Sequence, residues 1–274
     1  MSKPITSIPE LVTVDWLLEH LNHDNLIVLD ATISKIINED SESISGARFF
    51  DIKGQFSDLN ATFPSTLPKA TQFEEQAQLL GINQSSFIVV YDEKGIYSSA
   101  RAWWLLKAFG HKHVAVLDGG LPEWLERNYP VSILDQSSVK RGNFKAYYRP
   151  NCIVDFSGIQ ECISKPEVVI LDARSKDRFL SLVDEPRKGL RRGHIPGSRS
   201  LPYTELLHDN KLKPVNELST FFNTLVKAEK RLVFSCGSGI TACILALGAK
   251  LCDYDDIAVY DGSWTEYGTL INKE

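Results

Sequence analysis

No apolar run in the 274 residues approaches the roughly 20 residues that a membrane-spanning helix needs, so no membrane role is expected. A basic excess is lacking too. The 30 Lys and Arg stand against 35 Asp and Glu, a net charge of -5, without the electrostatic footprint of a nucleic-acid binder. Met1 to Glu19 has neither a basic stretch leading into an apolar core nor an arginine-rich amphipathic pattern. No targeting peptide is expected, and the cytoplasm is the expected location. Paired cysteines are missing as well: the five, at 152, 162, 236, 243 and 252, all lie in the second half, with no two spaced as C-x-x-C. That argues against a zinc site or a disulfide framework.

What is present is a chain long enough for one large domain or two ordinary ones. Thr13 to Leu21 reads as a capped helix, with Val14, Leu17, Leu18 and Leu21 on one face. A strand at Leu26 to Asp30, a helix at Gln72 to Leu80 closed by Gly81, and a strand at Phe87 to Tyr91 follow. Next come a helix at Ser98 to Phe109 and a strand at His113 to Leu117, which leads into Asp118-Gly119-Gly120-Leu121-Pro122. The second half replays the order: helix Val154 to Cys162, strand Val168 to Asp172, helix Glu217 to Ala228, strand Arg231 to Ser235, helix Gly239 to Leu251, strand Ile257 to Tyr260. Leu29-Asp30-Ala31 returns as Leu171-Asp172-Ala173, an offset of 142, and Leu117-Asp118-Gly119 returns as Tyr260-Asp261-Gly262, an offset of 143. The chain reads as a duplicated α/β domain, each copy a mainly parallel sheet flanked by helices. We divide it as 1–140 and 150–274, with a polar linker region at 132–150 that Tyr147 and Tyr148 could pin to a domain surface.

The stretch Cys236-Gly237-Ser238-Gly239-Ile240-Thr241 follows a strand and opens a helix. Amides of such a loop point toward whatever sits on Cys236 and favour negative charge there, which suits a nucleophilic sulfur. The plainer reading is a core cysteine, a residue type often buried. The counterpart in the first half, Tyr91-Asp92-Glu93-Lys94-Gly95, has no cysteine, and its carboxylates would repel an anion. The first copy is expected to be non-catalytic.

Leu171-Asp172-Ala173-Arg174, Gly193-His194-Ile195-Pro196-Gly197, the Cys236 loop and Tyr260-Asp261-Gly262-Ser263-Trp264 together resemble the tandem-domain rhodanese superfamily of sulfurtransferases. Trp103-Trp104 and Val116 to Pro122 carry the resemblance into the first half. Members that use thiosulfate typically carry Cys-Arg-Lys-Gly. The neutral loop here is similar to that of members using 3-mercaptopyruvate, whose charge lies on a carboxylate away from the sulfur. The resemblance implies a Cys236 persulfide, cradled by the amides of Gly237, Ser238, Gly239, Ile240 and Thr241, with pyruvate released and the sulfur passed on. The acceptor would be a small thiol, a thioredoxin-like protein or cyanide. No metal or organic cofactor is expected.

Asp177-Arg178-Phe179 and Glu185-Pro186-Arg187 resemble the segment whose two arginines hold the substrate's carboxylate and keto group, as forked guanidinium groups can. By themselves, arginines in a loop crowded with Arg174, Lys176, Lys188, Arg191 and Arg192 read as solvated surface. Ser238 is a candidate to donate a hydrogen bond to the substrate or to polarise Cys236, or else a turn serine. The family's relay through a first-domain histidine has no counterpart, because the matching run is Ser43-Ile44-Ser45-Gly46. His194 is expected to hold a loop, Asp172 and Asp261 to serve turns or caps, and Cys243 to be core. Cys252 reads as structural, with a redox role left open. A phosphatase of this fold would need an arginine six residues after the cysteine, where Ala242 stands. A thiosulfate sulfurtransferase, or a sulfur carrier without turnover, remain the alternatives.

Overall fold

The computed structural model describes residues 5–38, 41–134, 139–226 and 230–271. It divides into two compact units: Met1–Asp58, Leu67–Arg149 and Asp209–Lys211 in the first, Leu59–Thr66, Pro150–His208 and Leu212–Glu274 in the second.

The first unit runs β1 (Leu11–Val12), α1 (Val14–His20), β2 (Leu26–Asp30), β3 (Glu42–Ile44), β4 (Arg48–Phe49), α2 (Ala70–Leu79) and β5 (Phe87–Tyr91). It continues with α3 (Ser99–Ala108), β6 (Val114–Leu117), α4 (Gly120–Glu126) and β7 (Val131–Ile133). Thr13 starts α1 by accepting the Trp16 N–H on its hydroxyl at 3.1 Å, the cap expected of a threonine before an apolar face. The sheet order is β1-β6-β5-β2-β4, every pair parallel. β2 and β5 are buried throughout, which is why they read as continuous apolar runs rather than alternating ones. β3 and β7 form a separate antiparallel ribbon.

The second unit runs β8 (Ile153–Val154), α5 (Phe156–Ile163), β9 (Val168–Asp172), α6 (Lys176–Phe179), β10 (Arg199–Ser200), and two short strands, β11 (Leu207–His208) and β12 (Lys211–Leu212), of which Lys211 is counted with the first unit. Then come α7 (Val215–Leu225), β13 (Arg231–Ser235), α8 (Ala242–Leu251), β14 (Ile257–Tyr260) and α9 (Ser263–Leu270). Its sheet order, β8-β14-β13-β9-β10, repeats the first unit's strand for strand, again all parallel. From β9 the chain turns outward to β10, then returns to the other side of β9 as β13. The order therefore reverses between β9 and β13, and a parallel sheet opens a crevice beyond the strand ends at such a point. Asp172 closes β9 and Ser235 closes β13, paired in register.

Several expected boundaries move. Ile153–Val154 form an edge strand, and α5 begins only at Phe156, because Asp155 keeps an extended backbone and caps the helix by accepting the Gly158 N–H at 2.8 Å. The helix expected from Gly239 begins at Ala242, since residues 237–241 are spent on the loop. α7 starts earlier than expected, at Val215, and its expected end at Ala228 lies outside the described residues. The segments after β6 and β14 are helical, α4 and α9. The bend into each helix takes left-handed backbone, at Gly119 (φ 81°) and Ser263 (φ 50°).

Asp135 to Ser138 of the expected linker lie outside the described residues. Beyond them, the chain to Arg149 is tied to the first unit: Gly142 N–H donates to Gln78 O, Tyr147 N–H to Phe109 O and Arg149 N–H to Ala108 O. Of the expected anchors, Tyr147 is largely exposed, whereas Tyr148 sets its ring against Phe109 with centroids 5.8 Å apart. The deeper pin is Phe144, fully buried against Phe73 and His111. Periodicity gave no sign of it, because one apolar residue in a polar stretch makes no pattern.

Candidate active site

Cys236 follows β13 directly and is 1% exposed, at the carboxyl end of a central strand. The loop after it is held from one side. Trp264 N–H donates to the Cys236 carbonyl at 3.0 Å, and both the N–H and the hydroxyl of Thr265 donate to the Gly237 carbonyl. These are unpaired donors of the first turn of α9, which otherwise lack acceptors. The Ser263 hydroxyl accepts the N–H groups of Cys236 and Gly239, each at 3.1 Å, donates to Tyr260 O at 2.9 Å, and lies 3.9 Å from the Cys236 sulfur. With the Cys236 and Gly237 carbonyls drawn to α9, the loop keeps the amides of Gly237, Ser238, Ile240 and Thr241 without an acceptor among the described residues. Gly239 departs from the expected five-amide cradle, because its N–H is turned inward to Ser263. The remaining four can meet an anion on the sulfur.

At the end of β9, Asp172 and Arg174 form a buried pair. The Arg174 Nε donates to both Asp172 oxygens at 3.1 Å and its Nη2 to Oδ2 at 2.7 Å. Asp172 also makes the expected turn, taking the Arg174 N–H on Oδ1. A further Nη2 bond reaches Gly193 O at 2.9 Å, and the guanidinium stacks on Trp264 at 4.8 Å. Its Nη1 meets Glu185 at 2.7 Å. Burial alone would lower Arg174, but the bonds and charges of Asp172 and Glu185 outweigh it and leave the group raised.

The other face of Glu185 takes Arg178, with Nη2 at 2.5 Å and Nε at 3.3 Å. Arg178 sits on α6, which Ser175 caps, and its side chain is 24% exposed. It lies against the cysteine loop: a methyl group built on Gly237 would come within 3.2 Å of its Nη2. Glycine at 237 thus leaves the guanidinium its place beside Cys236.

A rhodanese-like domain profile matches residues 13–127 and again 158–269. The chain belongs to the rhodanese-like family. It is 37% identical over 268 residues to the 3-mercaptopyruvate sulfurtransferase of Escherichia coli K12, covering 94% of each chain. It is also 37% identical to thiosulfate/3-mercaptopyruvate sulfurtransferase 1, mitochondrial, of Arabidopsis thaliana, covering 96% of this chain and 77% of that one. Among solved structures, SseA from Escherichia coli, a 3-mercaptopyruvate sulfotransferase, superposes with a TM-score of 0.82 at 34% identity, covering 93% of this chain and 98% of that one.

Within this rhodanese-like frame, the other expected residues differ in how they are held. Arg187 is exposed and its side chain makes no hydrogen bond or ion pair among the described residues; only its carbonyl is engaged, by the Leu190 N–H. Ser238 is half-buried on the loop, its hydroxyl unbonded to any described residue. His194 does hold a loop, its Nδ1 2.9 Å from Phe179 O and its ring stacked on Phe179 at 4.2 Å. Cys243 is core, fully buried beneath Gly239 O. Burial pushes the half-buried Cys252 thiol up, and Ser219 donates to its sulfur at 3.4 Å. Asp261 is not the cap of α9; Gly262 occupies that position.

The first unit answers the same loop differently. Asp92, the residue after β5, takes the place that Cys236 has after β13 and is 1% exposed. Its carboxylate accepts the N–H groups of Lys94, Tyr97, Ser98 and Ser99 at 2.8 to 2.9 Å. The anion that the second unit's loop awaits is built into the first. Asp92 does not merely repel a ligand, as its charge alone suggested; it consumes the donors. Glu185, Ser263 and Thr265 also escaped the sequence reading, since each acts through a partner distant along the chain.

Proposed function

We propose that the protein is a 3-mercaptopyruvate sulfurtransferase whose sulfur carrier is Cys236. The observation that carries this reading is the juxtaposition of the Cys236 sulfur, four unengaged amides and the guanidinium of Arg178 at one strand end. The Cys236 thiolate attacks the thiol sulfur of 3-mercaptopyruvate. A sulfur–sulfur bond forms as the carbon–sulfur bond breaks, its electron pair leaving on carbon as the enolate of pyruvate, which then takes a proton. Arg178 holds the carboxylate by the edge of its guanidinium not taken by Glu185, and Arg187 closes on the keto end from the exposed loop. Ser238 contacts the bound substrate. The amides of Gly237, Ser238, Ile240 and Thr241 meet the charge on the persulfide's outer sulfur, as an oxyanion hole meets oxygen. A thiol, a thioredoxin-like protein thiol or cyanide then takes that sulfur and returns Cys236 as thiolate. All five cysteines are free, in keeping with a reduced cytoplasmic enzyme.

Thiosulfate is the second donor to weigh, since the Arabidopsis relative's name carries both. Steady-state kinetics with each donor test the reading. A kcat/KM for mercaptopyruvate at least about tenfold above that for thiosulfate, lost in Cys236→Ser, is expected. A preference for thiosulfate would contradict the donor assignment, and no turnover of either would favour a carrier role.

A further inference from the structure

Among the described residues Glu185 is the one carboxylate shared by Arg174 and Arg178, and its own side chain is 1% exposed. The two arginines are not alike. Arg174 is nearly spent: Asp172, Glu185 and Gly193 O take four of its five N–H donors, and Trp264 covers its face. Arg178 gives Glu185 only one side, Nε and one N–H of Nη2, and keeps its Nη1 and outer Nη2 hydrogens free of any acceptor among the described residues. On a long side chain partly in solvent, no other hydrogen bond or ion pair among the described residues fixes that edge, and Nη2 lies close to the loop at Gly237.

We propose that Glu185 is a positioning residue for the sulfur site: its carboxylate orients the Arg178 guanidinium so that the free edge faces an anionic group brought to Cys236. Asp172, Arg174, Glu185 and Arg178 carry no net charge together, so the cluster selects a substrate carboxylate by geometry more than by bulk attraction. This rests on the reading of Arg178 as the carboxylate's partner, but its test needs no turnover.

Iodoacetate and iodoacetamide alkylate a thiol at the same kind of carbon and differ in that only the first carries a carboxylate. The ratio of their rates at Cys236, read on the peptide by mass spectrometry, reports a positioned cation beside the sulfur. Arg178→Ala is expected to lower the ratio by about tenfold, the worth of one charge-assisted hydrogen bond. Glu185→Gln should lower it comparably, and adding it to Arg178→Ala should change it by less than about twofold. An unchanged ratio in Glu185→Gln, or independent effects that multiply in the double variant, would overturn the proposal. If Glu185→Gln does not fold, Glu185→Asp keeps the charge in the cluster while drawing the carboxylate back from Arg178. A fall of roughly threefold or more is then expected, and an unchanged ratio again overturns it. Failure of mercaptopyruvate as donor would leave this result standing.

Discussion

Around Cys236, two arginines that look equivalent in the sequence differ in what surrounds them. Arg178 is braced by Glu185 and set against Gly237, whereas the Arg187 guanidinium stands in solvent. Binding energy from a preorganised side chain exceeds that from one that must first be ordered. Arg178→Ala is therefore expected to raise KM for mercaptopyruvate by roughly 10- to 100-fold, and Arg187→Ala by about threefold to tenfold. Steady-state kinetics on the two variants check the order. An Arg187 effect larger than that of Arg178 would mean that its loop closes over the substrate to a degree the resting arrangement does not prepare.

At the scale of elements, strand–loop–helix units of one design carry opposite contents. In the first unit the loop after β5 closes on the Asp92 carboxylate, which is buried with four backbone donors. Asp92→Ala orphans those donors and is expected to cost about 2–4 kcal/mol, read as a lowered urea midpoint with no change in slope. The strands were legible because β2, β5, β9 and β13 are buried on both faces and read as unbroken apolar runs. Cys236, its glycine-bounded loop and the duplicated order were legible for a similar reason: they are local patterns. The edge strand β8, the helices α4 and α9, and the pin at Phe144 were not, because short elements lack a period and a single burial is decided by tertiary contact. Glu185 and Ser263 stayed hidden since their work lies in bonds to residues 7 and 27 positions away.

For the molecule as a whole, acid stability has an identifiable contribution from the first unit. His111 is fully buried, its Nε2 3.2 Å from Asn83 O, and burial pushes it down to about 4 from an ordinary 6.5. Below about 6.5 the unfolded chain takes up a proton there that the folded chain refuses until about 4. Its contribution is therefore complete above 6.5 and is lost as pH falls across that window. Urea denaturation at closely spaced pH values should show stability falling between these limits, with a shallower fall in His111→Gln. Equal slopes in both proteins would assign the acid limb to other groups.

The central claim is that sulfur rides on Cys236 between donor and acceptor. The most direct test adds 3-mercaptopyruvate to the protein without an acceptor, then measures pyruvate and the mass of the peptide bearing Cys236. The account predicts one pyruvate released per chain and one added sulfur atom on Cys236, removed again by a thiol. Pyruvate formed with no sulfur on that peptide, or with the sulfur on Cys252, would contradict it.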